Sequence, residues 1–174
     1  MGEPSTGQGT DRAASFVARL DVARDRLVAH ASSPATGGLT DPDPQTGERW
    51  TAGQIWGHVA EILPFWSGQV RSVLDAPAGE PATFGRTPTD PSRLEGIASG
   101  TSEPVEASLA KLREAVAEVT DLLLSLDDRS WSVRGHHVTL GEMEVERIVE
   151  SYMVGHLEAH ADQMDALHGG VGTK

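Results

Sequence analysis

Residues 102–126 read SEPVEASLAKLREAVAEVTDLLLSL, and Leu109, Leu112, Val116, Val119, Leu123 and Leu126 recur in them at alternating spacings of three and four. That rhythm places the large apolar side chains on one face of an α-helix, the seam by which helices pack into bundles. A half-buried strand needs alternation at every second residue, and this stretch has none. Working outward, the same rhythm returns three times. Phe16, Leu20, Ala23 and Leu27 mark a first helix over 11–31, with Asp11 as its cap. Thr51 caps a second over 51–74, whose inward stripe is Ile55, Val59, Ile62, Trp66, Val70 and Val73. Pro64 falls inside that run and predicts a kink. Thr139 with Glu142 reads as a capping box for a fourth helix over 139–168, lined by Val145, Val149, Tyr152 or Met153, His156, His160 and Met164. No stretch alternates long enough for a strand. The expected fold class is all-α, a four-helix bundle without a sheet.

The remaining segments are punctuation. Ser32 to Glu48 is broken by Pro34, Gly37, Gly38, Pro42, Pro44 and Gly47. Residues 75–103 form a long connection, expected to be partly irregular, in which Asp90-Pro91 can cap a short helix. The expected organisation is a tail over 1–10, one bundle domain over 11–168 and a short tail over 169–174.

Composition narrows the chemistry. Among 174 residues there is no Cys, so disulfides, thiol nucleophiles and iron–sulfur clusters are excluded, and any metal site must use His and carboxylates. Fourteen basic against 26 acidic residues give a net charge of −12, which disfavours nucleic acid and anionic membranes as partners. No run reaches the ~18 apolar residues of a membrane span. The N-terminus lacks a basic region followed by an apolar run, so no secretory signal is expected, and the expected location is the cytoplasm. Arg outnumbers Lys twelve to two and Asn is absent, a bias of GC-rich bacterial genomes.

Three of the seven His interrupt otherwise apolar stripes: His58 on the second helix, His156 and His160 four apart on the fourth. Residues at i and i+4 lie one above the other, so two imidazoles converge on one ion, and a third from a facing helix completes a three-nitrogen set with a coordination position left open. The alternative is three hydrogen-bonded core histidines, each needing its own partner. His58 lies about seven residues from its helix start, and His156 and His160 lie seven to eleven from their helix end. At ~1.5 Å per residue these levels match only if helices two and four are antiparallel. The long 75–103 connection then allows helices two and three to run parallel, an up-down-down-up order. No Glu has His three residues later, which excludes the di-iron bundle motif, and His-Glu-x-x-His is absent. His136 and His137 read as loop residues more than ~25 Å along the axis from His156. His30 and His168 fall at helix ends, where a cation is favoured.

The strings WTAGQIWGHVAE (50–61), TLGEM (139–143) and HLEAHADQ (156–163) resemble the second- and fourth-helix motifs of the DinB/YfiT-like superfamily. The resemblance implies a bundle in up-down-down-up order and a divalent metal, commonly zinc or nickel, on His58, His156 and His160. It also implies that some relatives are metal-dependent thiol S-transferases or isomerases using a low-molecular-weight thiol. The expected function is a metal-dependent transferase activating a small-molecule thiol. The alternatives are a non-catalytic metal-stabilised module and a metal-dependent hydrolase. Glu61, one turn beyond His58, is the candidate catalytic proton carrier or hydrogen-bond acceptor; the other reading is a solvated face residue. Trp56 and Trp66 are candidate pocket walls or core, and 75–103 a lid or plain crossover. Partners are expected to be a small-molecule substrate and a second copy of the chain in a homodimer.

Overall fold

The computed structural model describes residues 8–33, 37–77 and 79–169. In chain order its helices are α1 (Gln8–His30), α2 (Ala52–Leu74), a short α3 (Pro91–Ser99), α4 (Val105–Ser125), α5 (Val145–Ile148) and α6 (Gly155–Gly169), with a π-helical segment (Val149–Val154) joining the last two into one run. α1, α2, α4 and this last run are the four helices of the bundle. α1 starts at Gln8, so residues 8–10 are helical where a tail was expected. Residues 1–7 and 170–174 lie outside the described residues.

Caps explain two of these starts. The Thr51 hydroxyl accepts from the Gln54 N–H while the Gln54 side chain accepts from the Thr51 N–H. The Asp90 carboxylate accepts from the Ser92 N–H, and Pro91 opens α3. α2 runs on through Pro64 as one helix. The whole seam of residues 109–126 is buried, with Leu112, Val119 and Leu123 fully so. It meets Leu20, Leu27, Ile55, Leu63, Ile148, Leu157 and Met164 in one core, where trimming any Leu to Ala costs about 2–5 kcal/mol.

An ion-pair ladder reveals the helix order. Arg12 pairs with Glu146, Arg19 with Glu150 and Glu158, and Arg26 with Asp162 and Asp165. Both sets of numbers climb together, so the first and last bundle helices run parallel. A plain up-down-up-down bundle would make them antiparallel. The order is up-down-down-up, and the 75–104 crossover carries the chain back along the bundle. Glycines seat that crossover on α2. A Cβ at Gly57 would stand 2.6 Å from the Gly100 nitrogen, so the two backbones touch and α3 lies directly beside His58 and Glu61.

Residues 134–144 depart from expectation. Arg134–His137 (β2) and Gly141–Glu144 (β3) form an antiparallel hairpin, and Thr83–Phe84 (β1) joins β2 in parallel, giving a three-stranded sheet. The sheet is a small appendage, and the four-helix bundle remains the fold. The fourth bundle helix therefore begins at Val145, and no capping box forms at Thr139. Gly141 explains the difference: its φ of +81° suits a tight turn rather than a first helical turn. The Val145 N–H is taken by the Val133 carbonyl.

Candidate metal centre

The burial of α2 and α6 brings three imidazoles to one point. His58 and His160 are almost fully buried and His156 is half-buried. His58 Nε2 lies 3.1 Å from His156 Nε2, which lies 3.0 Å from His160 Nε2. One ligand atom from each of the three falls within 4.8 Å of the others. Two nitrogens ~2.1 Å from a shared ion are ~3.0 Å apart when they subtend a right angle, and ~3.4 Å at the tetrahedral angle. The spacing is that of ligands around one divalent cation.

The far side of each ring sets its tautomer. His160 Nδ1 donates to Gln163 Oε1 at 2.8 Å. His58 Nδ1 is 2.8 Å from Glu61 Oε1, too oblique for an aligned hydrogen bond, so the contact is electrostatic. Both oxygens hold the proton on Nδ1 and leave the Nε2 lone pairs facing His156. A divalent cation satisfies all three nitrogens, and the donor set fits one. Trp50 completes the enclosure, stacked on His160 at 5.5 Å and edge-on to His58 at 5.0 Å.

Electrostatics keep the rings neutral and ready to ligate. Burial drives His58 and His156 well below the usual imidazole range, helped by their His neighbours and by the positive charge of Arg93 and Arg86. Burial also pushes His160 down to about 4, against the raising effect of its bond to Gln163. Glu61 is shifted upward by burial, opposed by a bidentate pair in which the Arg86 guanidinium donates to both carboxylate oxygens at 2.9 and 2.6 Å.

The imidazoles open into a cavity of about 440 Å³. Its walls include Trp50, Ile62, Trp66, Tyr152 and Leu140, with Arg86 and Arg93 from the crossover. The 75–103 segment is therefore a built wall carrying β1 and α3. Ala78 within it lies outside the described residues. Glu61 is not among the lining residues; it stands behind His58, between that ring and Arg86. Trp66 lines the cavity, whereas Trp56 packs in the core.

The sequence profile of the DinB superfamily matches residues 19–164, nearly all of the bundle. The chain belongs to the DinB superfamily. Among solved structures, this DinB-superfamily chain is similar to YfiT from Bacillus subtilis, described as a probable metal-dependent hydrolase with an unusual four-helix bundle topology. The TM-score is 0.72 at 18% identity, over 99% of this chain and 95% of that one. It is also similar to an uncharacterised protein from Escherichia coli UTI89, with a TM-score of 0.64 at 12% identity, over 92% of this chain and 96% of that one. None of the curated proteins matches it. Both structural likenesses concern the fold.

One histidine of this DinB-superfamily member departs from expectation. His137 is buried and lines the cavity with His58, His156 and His160, far from being a remote loop residue. The 25 Å estimate assumed helical rise from residue 139, and β2 instead folds back against the bundle. The exposed–buried alternation over Arg134–His137 exists only in the folded chain; the letters Arg-Gly-His-His alternate in no apolar pattern that sequence could show. His136, by contrast, points to solvent. The π-helical segment also escaped prediction. It resolves the choice between Tyr152 and Met153: Met153 is fully buried in the core and Tyr152 faces the cavity.

Proposed function

We propose that the protein is a divalent-metal-dependent enzyme that activates a small-molecule thiol and transfers it to an electrophilic acceptor. The observation that carries this reading is the convergence of three Nε2 atoms at the edge of a cavity large enough for a second reactant. Zinc or nickel on His58, His156 and His160 would supply Lewis acidity that lowers the pKa of a thiol offered from the cavity. The chain has no Cys, so the sulfur must come from a small molecule. Gln163 and Glu61 orient two of the imidazoles. Trp50, Trp66 and Leu140 exclude water around the reacting atoms, and Arg86 and Arg93 favour anionic groups. The thiol S–H loses its proton to solvent, sulfur forms a bond to the acceptor carbon, and the leaving group departs with its electron pair.

A second reading, metal-dependent hydrolysis, draws support from the description of YfiT as a probable metal-dependent hydrolase. There, water replaces the thiol. The acidic surface supports small molecules rather than nucleic acid as partners, and no helix among the described residues is long and apolar enough to cross a membrane. We place the protein in the bacterial cytoplasm, working as a homodimer. Zinc- or nickel-loaded protein assayed with a thiol panel and a chlorinated or epoxide acceptor tests the main reading. Thioether formation that is lost on chelation is the expected result. Ester cleavage without thioether formation would leave hydrolysis standing, and failure to bind either metal would defeat both.

A further inference from the structure

His137 is the fourth imidazole of the cavity, and the thiol-transfer reading gives it nothing to do. It is held with more care than a filler side chain needs. Its ring lies nearly parallel to Tyr152, with centroids 5.6 Å apart and planes 5° apart, and nearly parallel to Trp66 at 6.4 Å and 13°. Phe84 meets it edge-on at 5.3 Å. Gly85 makes room for it: a Cβ there would stand 2.5 Å from both Cδ2 and Nε2, and the φ of +92° suits glycine alone.

The hydrogen bonding fixes the tautomer. The Thr139 backbone N–H, 3.2 Å from His137 Nδ1, can only donate, so Nδ1 accepts. The Thr139 hydroxyl lies equally close. In a neutral ring the proton then sits on Nε2. Burial and the neighbouring His136 both hold the ring neutral. Among the described residues no acceptor pairs with Nε2. An oriented N–H with no protein partner on the wall of a ligand-sized cavity is a donor open to the ligand.

We infer that His137 is a ligand-contacting residue whose Nε2–H donates to an oxygen of the molecule bound in the metal cavity, and thereby selects ligands that carry a carboxylate or carbonyl away from their metal-binding atom. This rests on the three-imidazole centre being a metal site with exchangeable ligands. The hairpin then earns its place in the molecule. β2 and β3 carry a specificity residue to the cavity, while α2 and α6 carry the metal ligands.

The test uses cobalt-loaded protein and a probe series: mercaptoacetate, 3-mercaptopropionate and 4-mercaptobutyrate, each against the alkanethiol of equal length. Thiol binding is followed by the sulfur-to-cobalt charge-transfer band. For at least one length the acid should bind about 3- to 10-fold more tightly than its alkanethiol, the range of one hydrogen bond. His137→Phe, which keeps a flat ring, should lower that ratio about 3- to 10-fold, leaving only the share that Arg86 and Arg93 supply, with cobalt affinity unchanged. His137→Gln, which offers an amide N–H near the Nε2 position, should restore part of it. An unchanged ratio in His137→Phe would overturn the inference. Ring ¹⁵N NMR of the metal-free protein gives an independent reading. The acids should shift His137 Nε2 and the alkanethiols should not; no shift with any acid would overturn the inference even if cobalt binding itself failed. Loss of cobalt binding alone would instead strike at the metal reading.

Discussion

The last helix carries histidines at two levels, and the two ends treat them oppositely. At His160 the imidazole meets other imidazoles, Nε2 to Nε2, with oxygens only behind the rings. Eight residues on, about 12 Å along the axis, His168 meets oxygens. Its Nδ1 faces the Met164 carbonyl at 2.8 Å and its Nε2 the Ser33 carbonyl at 3.2 Å. It stacks at 4.2 Å on His30, whose Nε2 lies 2.5 Å from Asp165 Oδ1, and Asp165 also pairs with Arg26. Helical spacing alone therefore does not make histidines a metal site. What decides is whether the second nitrogen already has an acceptor. At the far end the ligand direction is filled by protein oxygen; at the near end it is left to a cation.

Acid should separate the two ends most strongly. The three histidines of the candidate metal centre have folded-state values below 6.5, so the unfolded chain binds more protons as pH falls. Their contribution to stability is intact above about pH 6.5 and is lost on the way down, for His160 until about pH 4. That one group is worth on the order of 3 kcal/mol across the window. Thermal melts of metal-free protein should be level above pH 7 and fall steeply below 6.5, with zinc affinity falling in parallel. A midpoint independent of pH between 7 and 5 would contradict the burial of neutral rings.

The next effect is on the ligands themselves. His156→Ala or His160→Ala should weaken zinc by about 100-fold or more by calorimetry, since loss of a direct ligand exceeds the 10- to 100-fold of an outer partner. His30→Ala, His168→Ala and His136→Ala should leave zinc affinity unchanged. Equal losses from both ends would erase the contrast between them. Gln163→Ala should cost about 10-fold in zinc affinity with little change in melting temperature, because it orients a ligand without bearing the core.

The smallest effect belongs to the far end. Asp165→Asn should leave zinc untouched and lower stability at pH 7 by no more than about 1 kcal/mol, since its ion pairs are partly solvated. The His30 contact and Arg26 hold the Asp165 carboxyl below its usual value. Its share of stability is therefore present above about pH 4 and lost below, a window that urea titrations of the variant against the parent will resolve.

The convergence of the three imidazoles was legible because the two helices that carry them are long, periodic and read without ambiguity. His58, His156 and His160 had to face inward once Ile55, Ile62 and Met164 did. The helix order was legible at two strengths: the histidine depths only permitted it, the motif resemblance implied it, and the Arg12–Arg26 ladder to the last helix shows it. Residues 134–144 misled because Thr139 and Glu142 have the letters of a capping box, while the feature that decides, the left-handed backbone at Gly141, is silent in a helix-period reading. His137 was lost with that hairpin. Short strands pair through backbone groups brought from elsewhere, here from Thr83 and Phe84, and such pairings leave little trace in local sequence.

The π-helical segment at Val149–Val154 has a mechanical meaning for this chain. It sets the helical phase of His156 and His160 apart from that of Val145 and Ile148, and its exit is fitted to one residue: a Cβ at Gly155 would stand 2.6 Å from the Glu150 carbonyl oxygen. Arg19 straps the offset from outside by gripping Glu150 before it and Glu158 after it. Wound as an ordinary α-helix with the same number of residues, the segment would carry the histidine pair about 100° further around the axis. The wider turn keeps Val145 and Ile148 in the core and the imidazoles on the cavity at the same time.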